Sequence, residues 1–450
     1  MLQIMNFSRC LARGTVLQRQ LTRSVSTTAQ NRVPPILNTG SRGSQATGIN
    51  EIEADEQGIS IRPAGIINHR KLPWIWLRDN CRCASCVNQD TQQRDVKTFE
   101  IEYPHDPKIK PLDVRQFNNE QRTVVVNWAD GHESTYDPGF LTHYLNADSR
   151  PDSIPPPSSI EQWMASGPKE EPIVQYEDVM KSDEGVGRLT DLIRKKGFAF
   201  VDGTPYEDPE HTKNLLERIA FIRATHYGGF YDFTADLAMA DTAYTNIALP
   251  AHTDTTYFDD PAGLQAFHML SHEPDSTSSK STDLGGESLL VDGFKAASLL
   301  REQSPEAYAI LKTLRLPWHA SGNKGIAITP ELTYPVIETR PGDDGQLFRI
   351  RWNNDDRGVV PFHSEISTEA WYAAAKKWNS LLEAKEMQYW VKLQPGRTLI
   401  FDNWRVMHGR SAFTGKRRIC GAYINRNDYI SRWKTLNYSP EDVRRMNIGV

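Results

Sequence analysis

The chain of 450 residues carries 52 Lys and Arg against 57 Asp and Glu, a formal net charge of −5, which argues against a nucleic-acid partner. Apolar residues make up 38% of it, mean hydropathy is −0.56, and no run of about 18 apolar residues occurs, so no membrane span is expected. The length leaves room for more than one folded unit.

The first 32 residues contain Arg9, Arg13, Arg19, Arg23 and Arg32, and no acidic residue precedes Glu51. An Arg-rich, Ser/Thr-rich, acid-free start is the pattern of a presequence for the mitochondrial matrix; a basic tail is the plainer alternative. Residues 33–50, rich in Gly, Pro, Ser and Thr, read as a linker, so 1–50 is assigned to presequence and linker.

A small unit is expected over 51–145. Three of the five cysteines cluster there in "WLRDNCRCASCVN", as Cys81, Cys83 and Cys86. Neighbours so close make poor disulfides, whereas three thiolates at this spacing can wrap one side of a tetrahedral zinc. His132 is the candidate fourth ligand, because "VVVNWADGHESTYD" reads as a hairpin turning at Ala129 to Gly131. Four protein ligands make such a zinc structural; incidental cysteines beside a surface histidine are the alternative. Residues 146–172, with three consecutive prolines, read as an interdomain linker.

The larger unit, 173–450, mixes helices and strands. "VGRLTDLIRKKG" is an amphipathic helix stopped by Gly197 and followed by an apolar strand. "STEAWYAAAKKWNSLLEAKEM" places Trp371, Ala374, Trp378 and Leu381 on one helical face, with Ser367 or Thr368 as N-cap, and this helix is expected to pack on a sheet. The short β-like runs "GLQAFHML", "ESLLVDGF", "QLFRIRWNN", "YWVKLQPGRTLIFDNW" and "RICGAYI" do not alternate with helices. An antiparallel double-sheet roll backed by helices fits them better than a doubly wound parallel sheet. "PDSTSSKSTDLGG" between two of these runs is a polar low-complexity loop, expected to be mobile.

In "HTDTTY", His252 and Asp254 are two residues apart, and on one extended strand they would share a face. Alone, the pair fits a hydrogen-bonded turn as well as a metal site. His408, in "LIFDNWRVMHGR", supplies a second histidine, and two histidines with one carboxylate form a triad that leaves positions open at iron(II). Arg417, on the strand after His408, is placed to hold a carboxylate in bidentate fashion; Arg418 points the other way if the strand is regular. Cys10 and Cys420 have no base nearby in sequence and read as inert.

Together "HTDTTYF", "GGESLLVDGF", "FDNWRVMHGR" and "GAYI", with the Cys-rich module upstream, resemble the iron(II)- and 2-oxoglutarate-dependent dioxygenases of carnitine biosynthesis. That family pairs trimethyllysine dioxygenase with γ-butyrobetaine dioxygenase, and the likeness spans roughly residues 60–435. It implies an α+β, mainly β protein: a double-stranded β-helix (jelly-roll) with flanking helices behind a small β-rich zinc unit. By the same resemblance iron sits at His252, Asp254 and His408, and zinc at Cys81, Cys83, Cys86 and His132. The cosubstrate 2-oxoglutarate lies at Arg417 and Ser288, the latter often threonine in the family. An aromatic cage for a quaternary ammonium falls at Tyr227, Tyr231, Tyr244 and Tyr423. Asn353 matches a contact to the substrate carboxylate. Asp241 stands where butyrobetaine enzymes carry an amide, and its charge suits the α-amino group that trimethyllysine has and γ-butyrobetaine lacks. The expected reaction is C3 hydroxylation of trimethyllysine, with ascorbate as reductant and a homodimer as the assembly. The alternatives are γ-butyrobetaine hydroxylation and a non-catalytic methyl-lysine-binding module.

Overall fold

The computed structural model describes residues 49–63, 69–117, 123–145, 160–234, 245–274, 284–320, 322, 324–340 and 343–448. The expected presequence, the linker up to residue 48, residues 146–159, residues 275–283 of the polar loop, and the candidate site residues Asp241 and Tyr244 lie outside the described residues.

The N-terminal part holds two small antiparallel sheets. β1 (Ile49–Ala54), β2 (Gly58–Pro63) and β3 (Arg70–Pro73) make the first, in that order, and α1 (Trp74–Asp79) leads from it to the cysteines. β4 (Pro111–Phe117), β5 (Thr123–Trp128) and β6 (Glu133–Tyr136) make the second, followed by α2 (Pro138–Tyr144). Ile59 and Ile61 of β2, with Val124, Val126 and Trp128 of β5, alternate into one core shared with Trp74, Leu77 and Tyr136. Gly131, at φ 85, takes the left-handed turn between β5 and β6 that a side chain would resist.

The larger unit begins earlier than its first strand: Trp163 is buried, its indole N–H donating to the Lys196 carbonyl at 2.6 Å. Then come β7 (Ile173–Gln175), α3 (Tyr176–Lys181), α4 (Asp183–Lys196), β8 (Phe198–Asp202), α5 (Glu210–Ile219), β9 (Tyr231–Thr234), β10 (Leu249–His252), β11 (Leu264–Glu273) and β12 (Ser288–Asp292). They are followed by α6 (Gly293–Gln303), α7 (Pro305–Thr313), β13 (Ile337–Arg340), β14 (Asp343–Ile350), α8 (Thr368–Glu383) and β15 (Tyr389–Val391). β16 (Arg397–Asp402), β17 (Val406–Arg410), β18 (Lys416–Ile424), α9 (Arg426–Asn437) and α10 (Pro440–Ile448) complete it.

Two sheets organise most of these elements, one of order β7-β8-β16-β11-β18-β9 and one of order β10-β17-β12-β15, and β13 pairs with β14 in a separate two-stranded sheet. Neighbouring strands are antiparallel except β7 with β8. Phe198, Phe200, Leu399, Phe401, Met269 and Ile419 of the larger sheet share one core with Leu290 and Val406 of the smaller, so the sheets face each other. The alternate residues Ala199, Val201 and Ile400 face α4, α5 and α9, while Leu289, Val291 and Met407 lie on the side of α6, in one core with residues of α7 and α8. Burial on both faces explains why β8, β12 and β16 carry continuous apolar runs in the sequence.

α4 is built as its sequence dictates. Ser182 caps it by accepting from Gly185 N–H at 3.2 Å, acids open it, bases close it, and Gly197 ends it at φ 87. α8 is capped by Ser367, and Trp371, Ala374 and Trp378 are buried as expected. Its packing differs from the expectation: α8 lies against α6 and α7, and α6 is the helix that touches β12 and β17. Periodicity reveals that a face is covered, not what covers it.

Between α5 and β11 a fully buried His268 carries a stability prediction. Gly396 N–H donates to its Nε2 at 3.2 Å, which leaves the proton on Nδ1, donated to Thr212 Oγ1 at 2.7 Å. Burial pushes its pKa down from 6.5 to about 4. The unfolded chain therefore binds the extra proton first, and stability falls as pH drops through that interval, by roughly 2 kcal/mol at pH 5. Urea unfolding at pH 7 and pH 5 checks this: His268→Gln is expected to lose correspondingly less between the two.

Candidate active site

The two histidines are cross-strand neighbours. His252 ends β10 and His408 sits inside β17, directly opposite it, with ring centroids 4.3 Å apart. Asp254 lies past the strand, in a bend, rather than on the same extended strand as His252. Thr253 leaves the sheet edge to donate its N–H to the Trp352 carbonyl at 2.7 Å, and Thr255 takes a left-handed φ of 58. This kink, not a β pleat, aims the carboxylate at the imidazoles.

Asp254 Oδ1 lies 3.2 Å from His252 Nε2 and 3.8 Å from His408 Nε2. Bonds of about 2.1 Å at right angles would separate donors by about 3 Å, so the three fit one divalent cation after a small contraction. His252 Nδ1–H donates to the Pro250 carbonyl at 2.8 Å, which turns the Nε2 lone pair toward the cation position. Burial, with His252 nearby, pushes His408 down to about 3. Burial opposes ionisation of Asp254, but His408, His252 and the Tyr423 hydroxyl outweigh it and hold the carboxyl well below the usual range. A neutral His408 and an ionised Asp254 are the states a cation requires.

A cavity opens beside the triad, lined on one side by Ser288, Arg410 and Arg417 and on another by Tyr227, Tyr231, Phe233, Tyr257 and Tyr423. Arg417 is buried, its Nε has no hydrogen-bond partner, and it has no carboxylate partner among the described residues. Burial, with Arg410 adjacent, pushes it down to about 9. It is thus a charged guanidinium at neutral pH, on the wall of the cavity that the triad also lines. Arg418, one residue on, faces away and holds Asp232 through two bonds of 2.8 and 2.5 Å. Ser288 and Arg410 are opposed across β12 and β17.

The aromatic side gathers Tyr231 and Tyr423 with centroids 6.0 Å apart and Tyr227 on the same wall. Tyr231 O–H donates to the Ala266 carbonyl at 2.7 Å. Asn353 also lines the cavity, its Oδ1 accepting from Asp355 N–H at 3.1 Å. Sequence reasoning missed Gln265, Tyr257, Arg410, Asp355 and Asp356, all on the cavity lining. Gln265 had a signal, a polar side chain in the apolar strand "GLQAFHML"; Arg410 stands two residues from His408 on the same strand and so shares its face.

In the N-terminal unit His132 Nε2 stands 3.4, 3.5 and 3.4 Å from the Sγ atoms of Cys81, Cys83 and Cys86. Tetrahedral zinc, with bonds of about 2.3 Å to sulfur and 2.0 Å to nitrogen, would set that separation at about 3.5 Å, so the four donors fit the ion. Buried Arg78 donates to Cys86 Sγ at 2.8 Å and would offset the charge of three zinc-bound thiolates.

Residues 161–423 match the family described as taurine catabolism dioxygenase TauD, TfdA family, and residues 67–142 match gamma-butyrobetaine hydroxylase-like, N-terminal. Trimethyllysine dioxygenase of Neurospora crassa is 51% identical over 418 residues, covering 87% of this chain and 86% of that one. The chain belongs to the trimethyllysine dioxygenase family. Mitochondrial trimethyllysine dioxygenase of Homo sapiens is 36% identical, covering 81% and 83% of the two chains. Gamma-butyrobetaine dioxygenase of Pongo abelii is 25% identical, covering 82% and 92%. Membership in the trimethyllysine dioxygenase family joins both matched segments to one protein type.

Proposed function

We propose that this protein hydroxylates N6,N6,N6-trimethyl-L-lysine at C3, using oxygen and 2-oxoglutarate, as the first step of carnitine biosynthesis. One observation carries the reading: a cation site of two histidines and a carboxylate shares its cavity with a buried guanidinium that has no carboxylate partner among the described residues. His252, Asp254 and His408 would hold iron(II); with 2-oxoglutarate chelated, such a centre supplies oxygen activation for C–H hydroxylation and releases succinate and CO2. Arg417 anchors the distal carboxylate of the cosubstrate, with Ser288 beside it. Tyr227, Tyr231 and Tyr423 offer ring faces to the trimethylammonium group, which can make no hydrogen bond, and Asn353 takes the substrate carboxylate. The aromatic wall also excludes water from the reacting carbon.

Two further supports bear on the substrate. Identity is 51% to a trimethyllysine enzyme and 25% to a butyrobetaine enzyme. Asp241, read from sequence, supplies the negative charge for the α-amino group of trimethyllysine. Asp241→Asn is expected to shift the ratio of turnover efficiencies, trimethyllysine over γ-butyrobetaine, down by about tenfold, the worth of one charge-assisted hydrogen bond. Side-by-side kinetics with both substrates measure it, and an unchanged ratio would remove the aspartate from the assignment.

The same reading gives a double-stranded β-helix catalytic domain over 173–450, with Trp163 packed on it, and a zinc-stapled unit over 51–145. Ascorbate serves as reductant, the assembly is a homodimer, and residues 1–50 direct the chain to the mitochondrial matrix, in keeping with mammalian relatives named mitochondrial. The primary test is succinate formation by purified protein with iron(II), 2-oxoglutarate and trimethyllysine. Stoichiometric succinate and 3-hydroxytrimethyllysine are expected; neither product from protein with iron demonstrably bound would sink the reading.

A further inference from the structure

Asp254 is gripped on every side but one. Its Oδ2 accepts from Gln265 Nε2 at 2.7 Å and from the Tyr423 hydroxyl at 2.6 Å. Its backbone is fixed by one side chain: Asn403 Oδ1 accepts from Asp254 N–H at 2.9 Å, and Asn403 Nδ2 donates to the Asp254 carbonyl at 3.0 Å. Gln265, Tyr423 and Asn403 are all buried. Only Oδ1 faces the histidines.

The two donors to Oδ2 come from one feature of the sheet. Gln265 on β11 and Tyr423 on β18 are directly opposed in the antiparallel register, so both side chains rise from the same face at neighbouring positions. A carboxylate can only accept from a glutamine amide or a phenol, which fixes the orientation of both. We infer that Gln265 and Tyr423 are positioning residues that restrict Asp254 to one ligating oxygen and so keep three positions of a six-coordinate ion open.

The inference rests on the iron reading and goes beyond it. A carboxylate binding through both oxygens would take a fourth position and leave two, which a chelating keto acid fills completely. A carboxylate limited to Oδ1 leaves the third position that an oxygenase needs. Tyr423 then has two surfaces with two tasks: its ring belongs to the aromatic wall, while its hydroxyl serves the metal ligand. Gln265 has the second task alone.

Two variants separate these tasks. Tyr423→Phe keeps the ring and removes the hydroxyl; Gln265→Met keeps the chain length and removes the donor. Manganese(II) affinity, read by the electron paramagnetic resonance of free ion, is expected to weaken about tenfold or more in each. Oxygen-free titration of the iron(II)-loaded protein, followed by charge-transfer absorption, is expected to show 2-oxoglutarate binding weakened to a similar degree. The KM for trimethyllysine is expected to stay within about threefold, since the ring faces are intact. Circular dichroism establishes which variants are folded, and either one alone decides the matter. Folded variants with unchanged manganese and 2-oxoglutarate affinities overturn the inference, as does a Tyr423→Phe effect confined to the trimethyllysine KM. Wild-type protein that forms no succinate overturns the functional reading instead, so the two failures are distinct.

Discussion

Replacing Arg417 with methionine is expected to raise the 2-oxoglutarate concentration for half-maximal succinate formation by about a hundredfold, and to leave the cosubstrate-free protein at least as stable as before. The two halves follow from one fact. Arg417 is buried beside Arg410, with no carboxylate partner among the described residues to offset its desolvation. Such a charge is a cost to the folded chain until an anion arrives. Truncating one member of a buried, hydrogen-bonded charge pair costs about 2–5 kcal/mol in binding, and about 2.7 kcal/mol is a factor of a hundred. Methionine fills similar space without a charge, so the cost to the free protein disappears along with the anion site. Thermal unfolding with and without 2-oxoglutarate reads both effects: wild-type protein gains stability on saturation, and the variant does not. Arg418→Met supplies the contrast. Arg418 is about two-fifths exposed and engaged with Asp232, an arrangement worth about 1 kcal/mol or less, so the cosubstrate requirement should stay where it was. Equal effects at the two arginines would refute the assignment of the anchor.

What the sequence could disclose about this site was set by how local each signal is. His252, Asp254 and the three clustered cysteines stand close together in the chain, and the chemistry of their residue types is specific enough to suggest a metal. The short apolar runs announced strands, though not that both their faces are covered, and α4 and α8 were legible from caps and periodicity. The route of Asp254 into the triad was not, because it depends on Thr253 leaving the sheet for Trp352 and on Asn403 reaching back across 149 residues. The Gln265–Tyr423 pair depends likewise on the register of β11 against β18, which no short stretch encodes. Strand alternation predicts that Arg417 and Arg418 face opposite ways, and they do: Arg417 lines the cavity and Arg418 holds Asp232. The partner of α8 is not legible in its sequence, because amphipathicity is silent about whether a sheet or another helix lies opposite.

Removing zinc from the N-terminal cluster is expected to unfold residues 59–145 while the two-sheet unit keeps its own melting transition. Among the described residues the core around Ile59, Trp74, Val124 and Trp128 is separate from the cores of the larger unit, so its cohesion is expected to come from its own contacts and from a bound ion. Cys81, Cys83 and Cys86 lie between α1 and the hairpin that carries His132; a bound ion ties the α1 end of one sheet to the turn of the other. Structural zinc contributes about 10–16 kcal/mol in small peptides at neutral pH, far more than so small a core is able to replace. The ion needs thiolates, yet burial pushes Cys86 up to about 12 even with Arg78 donating to it, and burial lowers His132. Metal binding must therefore expel protons, chiefly from the thiols, and zinc should be lost to a chelator more readily at pH 6 than at pH 8. Cys83→Ser is expected to reproduce the loss at any pH, whereas Cys420→Ser, buried in β18 away from the cluster, should leave zinc content at one per chain. Metal analysis, differential scanning calorimetry and limited proteolysis together read the outcome. A zinc-free chain with unaltered melting and unaltered resistance to protease across residues 59–145 would mean that the thiols and imidazole gather there without a structural ion.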